Sequence, residues 1–294
     1  LWVAGRVLIL TPLDIAAAVV TAAFPAAVAV AIAIPLIKAG NVRNYFFIGL
    51  LTLISALTLL VYFPLPQRLG FAPGVVLQLV LDVVLFIMAV MGGRVIPMFT
   101  NNAIPGARAT RRISIERLAL GSVIVLFVAD LMQLDAVLVS AVAFAAALVH
   151  GARLFLWQPL RTLGTPLVWI LHAAYAWIAL HLALRGFAQL GWVLPSLATH
   201  ALTIGAIGGL TIGMMTRTAR GHTGRPLQAD RYDVAAYLLL QAAAIVRVFG
   251  GLAFPALYLA TVELSALLWA SALGVYFVRY WPVLTRPRAD GQPG

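Results

Sequence analysis

The side chains best suited to chemistry in this chain are its five histidines, since the sequence has no cysteine. The lack of cysteine excludes disulfides, iron–sulfur clusters and thiolate metal sites within the chain. A neutral imidazole is the usual protein ligand for haem iron. Histidines inside apolar segments are therefore compatible with haem b, or with a site that holds haem and copper. Four of the five lie in such segments, namely His150, His172, His181 and His200, and His222 follows one.

Helical geometry limits which histidines can act together. His172 and His181 are nine residues apart, and at about 100° per residue they lie on opposite faces of a helix. They should therefore not ligate one metal together. His172 and Tyr175 are spaced i, i+3 and share a face. His150 lies near the end of its apolar segment, and we expect it to have a structural role.

Charged residues deep within the apolar segments are further candidates, because ionisable groups are costly there and mark functional sites. At a rise of about 1.5 Å per residue, Asp82, Arg247 and Glu263 fall in the outer half of the bilayer. We expect Arg247 and Glu263, on neighbouring antiparallel helices, to form a buried ion pair, which either fixes the hairpin or takes part in a site. Asp82 and Glu263 could equally serve proton movement, as in transporters.

Small residues crowd the segment 195–215, in which Gly205 and Gly209 form a G-x-x-x-G pair. Such a pair lets two helix backbones approach closely. It also leaves a bare face against which a planar macrocycle could lie. The sequence leaves both interpretations open.

The elements that must position these residues are nine long apolar runs. Hydrophobic residues make up 63% of the chain and charged residues 10%, far from the ~45–50% and ~25% of soluble domains. Runs of this length predict membrane-spanning α-helices, so the fold class is an all-α polytopic transmembrane bundle. The predicted spans are 13–37, 45–63, 73–93, 118–133, 136–156, 166–184, 195–215, 232–251 and 255–277.

The basic residues are distributed unequally between the two sides of this bundle. Of the 20 Lys and Arg residues, 16 lie in alternate connections and the C-terminal tail, and four lie on the other side. This asymmetry predicts an N-terminus outside and a C-terminus in the cytoplasm. The net charge of +11 therefore indicates loops that face anionic lipid, and not a nucleic-acid-binding surface.

Several motifs resemble those of a known family. They are KAGNVRN at 38–44, GGRVIPMFTNN at 92–102, the set Arg153, Trp157, Pro166, His172 and Tyr175, HALTIGAIGG at 200–209, MMTR at 214–217 and GHTGR at 221–225. The stretch that starts at 200 is the most specific. Over essentially its whole length the chain closely resembles the NnrS family of bacterial inner-membrane proteins.

This resemblance implies a haem- and copper-containing protein linked to denitrification and to the response to nitric oxide. It also implies about twelve spans, so that about three would precede the nine found here, an odd number that agrees with the charge distribution. A start at Leu1 rather than Met agrees with this expectation. We therefore expect residues 1–294 to be a single transmembrane domain of a longer protein. The family's histidine-rich motif belongs to that N-terminal part, so some metal ligands would lie outside this chain.

The resemblance carries the role of haem or metal ligand to His200 and His172, with His181 and His222 as further candidates. It also singles out residues that we expect in cytoplasmic loops, namely Arg94, Asn101, Arg217 and Arg225. An arginine suits bidentate recognition of a haem propionate. However, these arginines are predicted on the side of the membrane opposite His200, so we expect their role to be mainly topological.

Three functions follow as hypotheses. The first is an NnrS-like haem protein that binds or senses nitric oxide at a mononuclear site, because the adjacent histidines and the His-x-x-x-Tyr element of a haem–copper oxidase do not occur here. The second is a proton-coupled transporter that uses Asp82, Glu263 and Arg247. The third is a non-catalytic membrane sensor or assembly factor. The sequence leaves open whether the protein is an enzyme, and its oligomeric state.

Overall fold

The computed structural model describes residues 1–63, 68–72 and 74–292, and in these ranges the chain is helical and has no strands. Short 3₁₀ turns and two π-helical segments separate or extend the α-helices. The α-helices are α1 (Trp2–Leu8), α2 (Asp14–Lys38), α3 (Phe46–Val61), α4 (Val75–Ala103), α5 (Ile113–Leu131), α6 (Ala136–Leu156), α7 (Pro166–Gln189), α8 (Pro195–His200), α9 (Gly209–His222), α10 (Arg231–Ile245), α11 (Gly251–Ala253) and α12 (Tyr258–Thr285).

Within the described ranges, eight helical stretches are long and apolar enough to cross a membrane. They correspond to the predicted spans except the one at 118–133, and the prediction of a polytopic helical bundle is confirmed. The exception forms helix α5, which has 19 residues. It carries three charged residues, Glu116, Arg117 and Asp130, and this number of charges, not a low hydropathy, separates it from the other eight.

Two helices continue well beyond the predicted ends of their spans. Helix α4 runs to Ala103 through Pro97, although proline lacks the N–H that a helix interior needs. Helix α9 runs to His222. The prediction that Arg94, Asn101 and Arg217 lie in loops was therefore wrong, because the polar ends of these helices remain helical beyond the apolar run.

Two π-helical segments interrupt the regular α-helical period. Ala201–Gly208 joins α8 to α9, and Val246–Gly250 follows α10. A π-helical turn is wider than an α-turn and is often found at functional sites. Side chains on its two sides do not keep the 3.6-residue spacing that sequence arguments assume.

The described residues form two compact units. Unit 1 comprises Leu1–Met88 and Val123–Asp135. Its core joins Leu57 of α3 to Leu79 and Val83 of α4. The hydroxyl of Ser55 donates to the carbonyl of Ala22 at 2.7 Å and so links α3 to α2.

Asp82 is buried in the α4 part of unit 1. The amide of Gln78 donates to its Oδ1 at 3.0 Å. With apolar side chains that include Leu53, Phe86 and Phe127, Asp82 lines a cavity of about 180 Å³. The other residues that line this cavity are apolar.

Unit 2 comprises Ala89–Ser122 and Ala136–Gly294, and helix α7 is central to it. Helix α7 packs against α6, α8, α9 and the segment Ala201–Gly208. Fourteen of its 24 residues are buried, so most of its circumference faces protein and not lipid. His172, Tyr175 and His181 all lie on this helix, and the structure encloses all three.

An ionic cluster ties α9, α10 and α12 together in unit 2. The guanidinium of Arg220 pairs with Asp233 at 2.5 Å and with Asp230 at 3.0 Å. Arg279 pairs with Asp230 at 2.7 Å, and the hydroxyl of Tyr280 donates to Asp233 at 2.9 Å. Asp230 is also the N-cap of α10, in a capping box with Asp233.

This cluster makes stability depend on pH. Burial by itself raises the pKa of Asp230. Hydrogen bonds from Arg279 and the backbone, together with the charge of Arg279, lower this pKa by a larger amount, so the folded pKa lies below its ordinary value of 3.8. The stabilisation is therefore fully present above the ordinary pKa and is lost as pH falls through the lowered one. We expect Asp230→Asn, which can still cap α10, to unfold at a lower temperature than the wild type at neutral pH.

The difference between the two unfolding temperatures should close as the pH becomes acidic enough to protonate Asp230. Thermal unfolding curves of both proteins, recorded from neutral to acid pH, measure this difference. If the difference stays constant throughout, the charge of Asp230 does not stabilise the fold.

Candidate functional site

A buried arginine connects four helices of unit 2. The Nε and Nη2 atoms of Arg153 donate to the two carboxylate oxygens of Glu116 at 2.8 and 2.6 Å. Its Nη1 donates to the carbonyl of Ala89 and to the hydroxyl of Tyr175, each at 2.8 Å. Because bidentate arginine–carboxylate pairs are strong and directional, this guanidinium fixes α4, α5, α6 and α7 relative to one another.

Glu116 lies in the first turn of α5, outside the eight candidate spans. Burial by itself raises the pKa of Glu116. The hydrogen bonds and charge of Arg153, followed by those of Arg111, lower this pKa by a larger amount, so it lies below its ordinary value. Glu116 is therefore the anionic partner of Arg153. A carboxylate in the first turn of a helix is also favoured by the helix dipole.

His150 completes the buried network. Its Nε2 lies 3.1 Å from the carbonyl of Ala119, so this nitrogen carries the proton, since a carbonyl can only accept. Its Nδ1 then accepts from the hydroxyl of Tyr175 at 2.8 Å. Both ring nitrogens of His150 are thus engaged within the protein, in keeping with the structural role expected for it.

The two glycines of the GGRVIPMFTNN motif make room for this network. A Cβ atom on Gly93 would overlap the guanidinium of Arg153, and one on Gly92 would lie 3.0 Å from the ring of Tyr175. The ring of Trp157 covers the other side, with the guanidinium carbon of Arg153 5.2 Å from its centroid. Motif residues far apart in the sequence therefore meet at one buried site.

His172 lies beside this network with one free nitrogen. Its Nε2 is 2.8 Å from the hydroxyl of Thr100, which donates its own proton to the carbonyl of Ile96. The Nε2 of His172 must therefore be the donor to Thr100. Its Nδ1 is buried and has no hydrogen-bond partner among the described residues, so it presents a bare lone pair.

His181 presents a second bare lone pair on the same helix. Its Nδ1 donates to the carbonyl of Ala198 in α8 at 2.7 Å. Its Nε2 is buried and, within the ranges that the structure covers, has no hydrogen-bond partner. A backbone carbonyl that holds the Nδ1 proton and leaves Nε2 free is the usual arrangement of a metal-ligating imidazole.

The other two histidine candidates are less enclosed. His200 is the last residue of α8 and is half-buried, and α8 packs against the segment Val246–Gly250. His222 ends α9 with an exposed side chain, and its carbonyl accepts from Arg288 at 3.1 Å. The structure therefore places His200 and His222 at element ends, and His172 and His181 in the core.

The predicted buried pair between Arg247 and Glu263 was wrong. Glu263 is exposed, on the side of α12 away from the buried Ser265. Arg247 is half-buried, with its guanidinium carbon 5.7 Å from the ring centroid of Tyr258. Depth in the bilayer determines the height of each residue but not the helix face on which it lies. The π-helical segment Val246–Gly250 changes the face on which Arg247 lies. Asp82, the third residue of this predicted set, belongs to unit 1, whereas Arg247 and Glu263 belong to unit 2.

Helix α7 fills the glycine-rich face at 205–213. A Cβ on Gly205 would overlap the side chain of Trp177, and one on Gly209 would lie 2.7 Å from the Cβ of Ala174. Close helix packing, one of the two interpretations of the G-x-x-x-G pair, therefore accounts for these glycines. The face is not open to a planar cofactor.

The remaining motif residues stabilise local structure. The amide of Asn101 donates to the carbonyl of Ala109 at 3.0 Å and accepts from its N–H at 2.8 Å, which fixes the chain after α4. The guanidinium carbon of Arg217 lies 3.6 Å from the ring centroid of Phe99, a cation–π contact between α9 and α4. Arg225 makes long hydrogen bonds to the carbonyls of Thr223 and Val283, and Arg94 is half-buried in α4.

In the described ranges, no three His, Cys, Asp or Glu side chains are close enough to hold a metal ion. His172 and His181 each present a single imidazole with a fixed tautomer. Sequence reasoning missed Glu116, which was counted with a polar loop. Its position two residues before the predicted span 118–133, with Arg153 near the end of the span 136–156, was the available signal.

A family model described as NnrS protein matches residues 1–288 of the chain. No curated protein and no solved structure gave a match.

Proposed function

The chain belongs to the NnrS family, and on that premise we propose that it is a haem-binding protein that acts in the response to nitric oxide and in denitrification. The observation that carries the proposal is the bare Nε2 of His181, buried in α7 and oriented by the carbonyl of Ala198. Imidazole nitrogens oriented in this way serve as axial ligands of haem iron.

We propose that His181, ahead of His172, His200 and His222, is the residue that would hold the haem. The Nε2 of an imidazole is farther from the backbone than Nδ1, so it can approach an iron atom with less steric hindrance. His172 would have to use Nδ1, because Thr100 occupies its Nε2. A haem held by this imidazole would supply an iron centre that can bind a diatomic molecule such as nitric oxide.

We also propose that the protein resides in the bacterial inner membrane. The eight apolar helices support residence in a bilayer. The concentration of arginines in alternate connections supports an orientation with the C-terminus of the chain in the cytoplasm. Of the competing hypotheses, a transporter built on Asp82, Arg247 and Glu263 loses support, because Glu263 is exposed and does not pair with Arg247.

Optical spectra of the purified protein test the haem proposal. We expect a Soret band in the wild type that shifts when nitric oxide is added, and loss of the band in His181→Gly. Free imidazole should restore the band in His181→Gly, since it can occupy the space of the missing ring. His222→Gly serves as the control and should keep the band, because this side chain is exposed.

A wild-type protein without a Soret band after expression with ample haem would contradict the cofactor proposal. A wild-type band that His181→Gly retains would instead contradict the assignment of the ligand. Thermal unfolding of each variant shows whether loss of the band reflects a lost ligand or a lost fold.

A further inference from the structure

A cationic groove lies at the end of helix α6 in unit 2. Its volume is about 510 Å³, and two arginines, Arg108 and Arg161, contribute to its lining together with Gln158, Phe155 and Leu160. No acidic residue belongs to this lining. The groove is thus suited to an anion, and it is separate from the buried histidines of α7.

Two hydrogen bonds to backbone carbonyls link the chain that follows α4 to the chain around the end of α6, and these two stretches form the sides of the groove. The Nη1 of Arg161 donates to the carbonyl of Gly106 at 2.7 Å. The N–H of Thr110 donates to the carbonyl of Leu156 at 3.1 Å. The guanidinium of Arg108 makes no hydrogen bond or ion pair with any described residue, and both arginine side chains are exposed. Their remaining N–H groups are therefore available to a ligand.

Gln158, between the two arginines, has a strained backbone. Its φ is 60° and its ψ is 53°, the left-handed conformation that residues other than glycine rarely adopt. Its side-chain oxygen accepts from the N–H of Arg108 at 3.1 Å, so the strained residue positions one of the two arginines. Strain of this kind is concentrated at ligand-binding sites and clamps.

The apolar part of the lining indicates what kind of anion fits. Phe155 is 75% exposed and Leu160 is 76% exposed. Phe155 lies in the last turn of α6, a candidate span, and therefore at the level where a bilayer changes from hydrocarbon to headgroup. A free phosphate ion would use the arginines but not these side chains.

We propose that this groove binds one anionic phospholipid, with its phosphate between Arg108 and Arg161 and its acyl chains along Phe155 and Leu160. Basic pockets beside membrane helices bind anionic lipid headgroups, and the paired N–H groups of a guanidinium match phosphate oxygens. The proposal is independent of haem binding and would stand if that assignment failed.

Native mass spectrometry of the whole chain, released from detergent with added lipid, tests the proposal. We expect phosphatidylglycerol to bind more tightly than phosphatidylcholine. Each of Arg108→Gln and Arg161→Gln should weaken this binding roughly fivefold, the effect expected for one arginine near an anionic headgroup. Arg286→Gln is the matched control, with the same loss of charge at an exposed residue, and should bind like the wild type.

Three results would overturn the proposal. One is equal binding of the two lipids by the wild type. Another is a loss in Arg286→Gln as large as in Arg161→Gln, which indicates a general charge effect. The third is displacement of phosphatidylglycerol by an equal concentration of inorganic phosphate, which indicates a site for the free ion. Arg161→Lys, which keeps the charge, should retain most of the preference and shows that the fold tolerates a change there.

Discussion

Replacing Arg153 with methionine should lower the free energy of unfolding by roughly 3–5 kcal/mol, since removing one partner of a buried ion pair leaves the other charge buried and uncompensated. The change removes both hydrogen bonds to the Glu116 carboxylate. It also removes the donors to Ala89 and Tyr175. Equilibrium unfolding of the protein in detergent, followed by circular dichroism, measures this loss.

Arg111→Gln provides the control at the same carboxylate. Arg111 lies 3.2 Å from Glu116, but its side chain is 46% exposed, so its removal should cost less than about 1 kcal/mol. The double variant Arg153→Met with Glu116→Leu should recover much of the lost stability, because no charge then stays buried alone. Equal losses in Arg111→Gln and Arg153→Met would show that the buried position of Arg153 has no special importance.

Replacing Gly205 with alanine should destabilise the protein by about 1–3 kcal/mol, the usual cost of forcing an extra carbon into a well-packed core. The new Cβ would overlap the side chain of Trp177 close to its attachment to α7. A rotamer change of Trp177 cannot relieve a clash so near its own Cβ. Helix α7 and the segment Ala201–Gly208 must therefore move apart at Trp177, whose indole N–H also donates to Gln241 of α10 at 2.8 Å.

Gly151→Ala makes the same chemical change in helix α6, where a Cβ meets nothing within 4 Å. It should stabilise the protein by about 0.5–1 kcal/mol, because alanine favours the helix more than glycine does. The two variants should thus shift the unfolding temperature in opposite directions. A shift of the same sign in both would mean that glycine at 205 does not serve close packing.

The helices were predictable because each depends on a local property of the sequence. An apolar run long enough to span a bilayer is helical whatever its neighbours are, and the predicted span 136–156 coincides with α6. The ends were less predictable. Helix α4 continues past Pro97 to Ala103, and the side chain of Asn101 in its last turn makes two hydrogen bonds with the backbone of Ala109.

Individual residues of the candidate site were predictable from the sequence, but the contacts between them were not. The i, i+3 spacing of His172 and Tyr175 predicted that they share a face, and the structure shows that both are buried. Their partners were not predictable, since Thr100 is 72 residues from His172 and Arg153 is 37 residues from Glu116. The Arg247 and Glu263 prediction failed for the same reason: residues at similar depth pair only if their faces meet, and packing determines the faces.

The π-helical segment Ala201–Gly208 joins α8 and α9 into one continuous helix, and it rotates the side chains of α9 about the helix axis relative to those of α8. One residue corresponds to about 100° of rotation around a helix axis, so a wider turn changes the angular phase of everything that follows it. Before the segment, the carbonyl of Ala198 accepts a hydrogen bond from His181. After it, the guanidinium of Arg217 lies over the ring of Phe99. A single helical wheel drawn from 195 to 222 therefore cannot describe the contacts made on both sides of this segment.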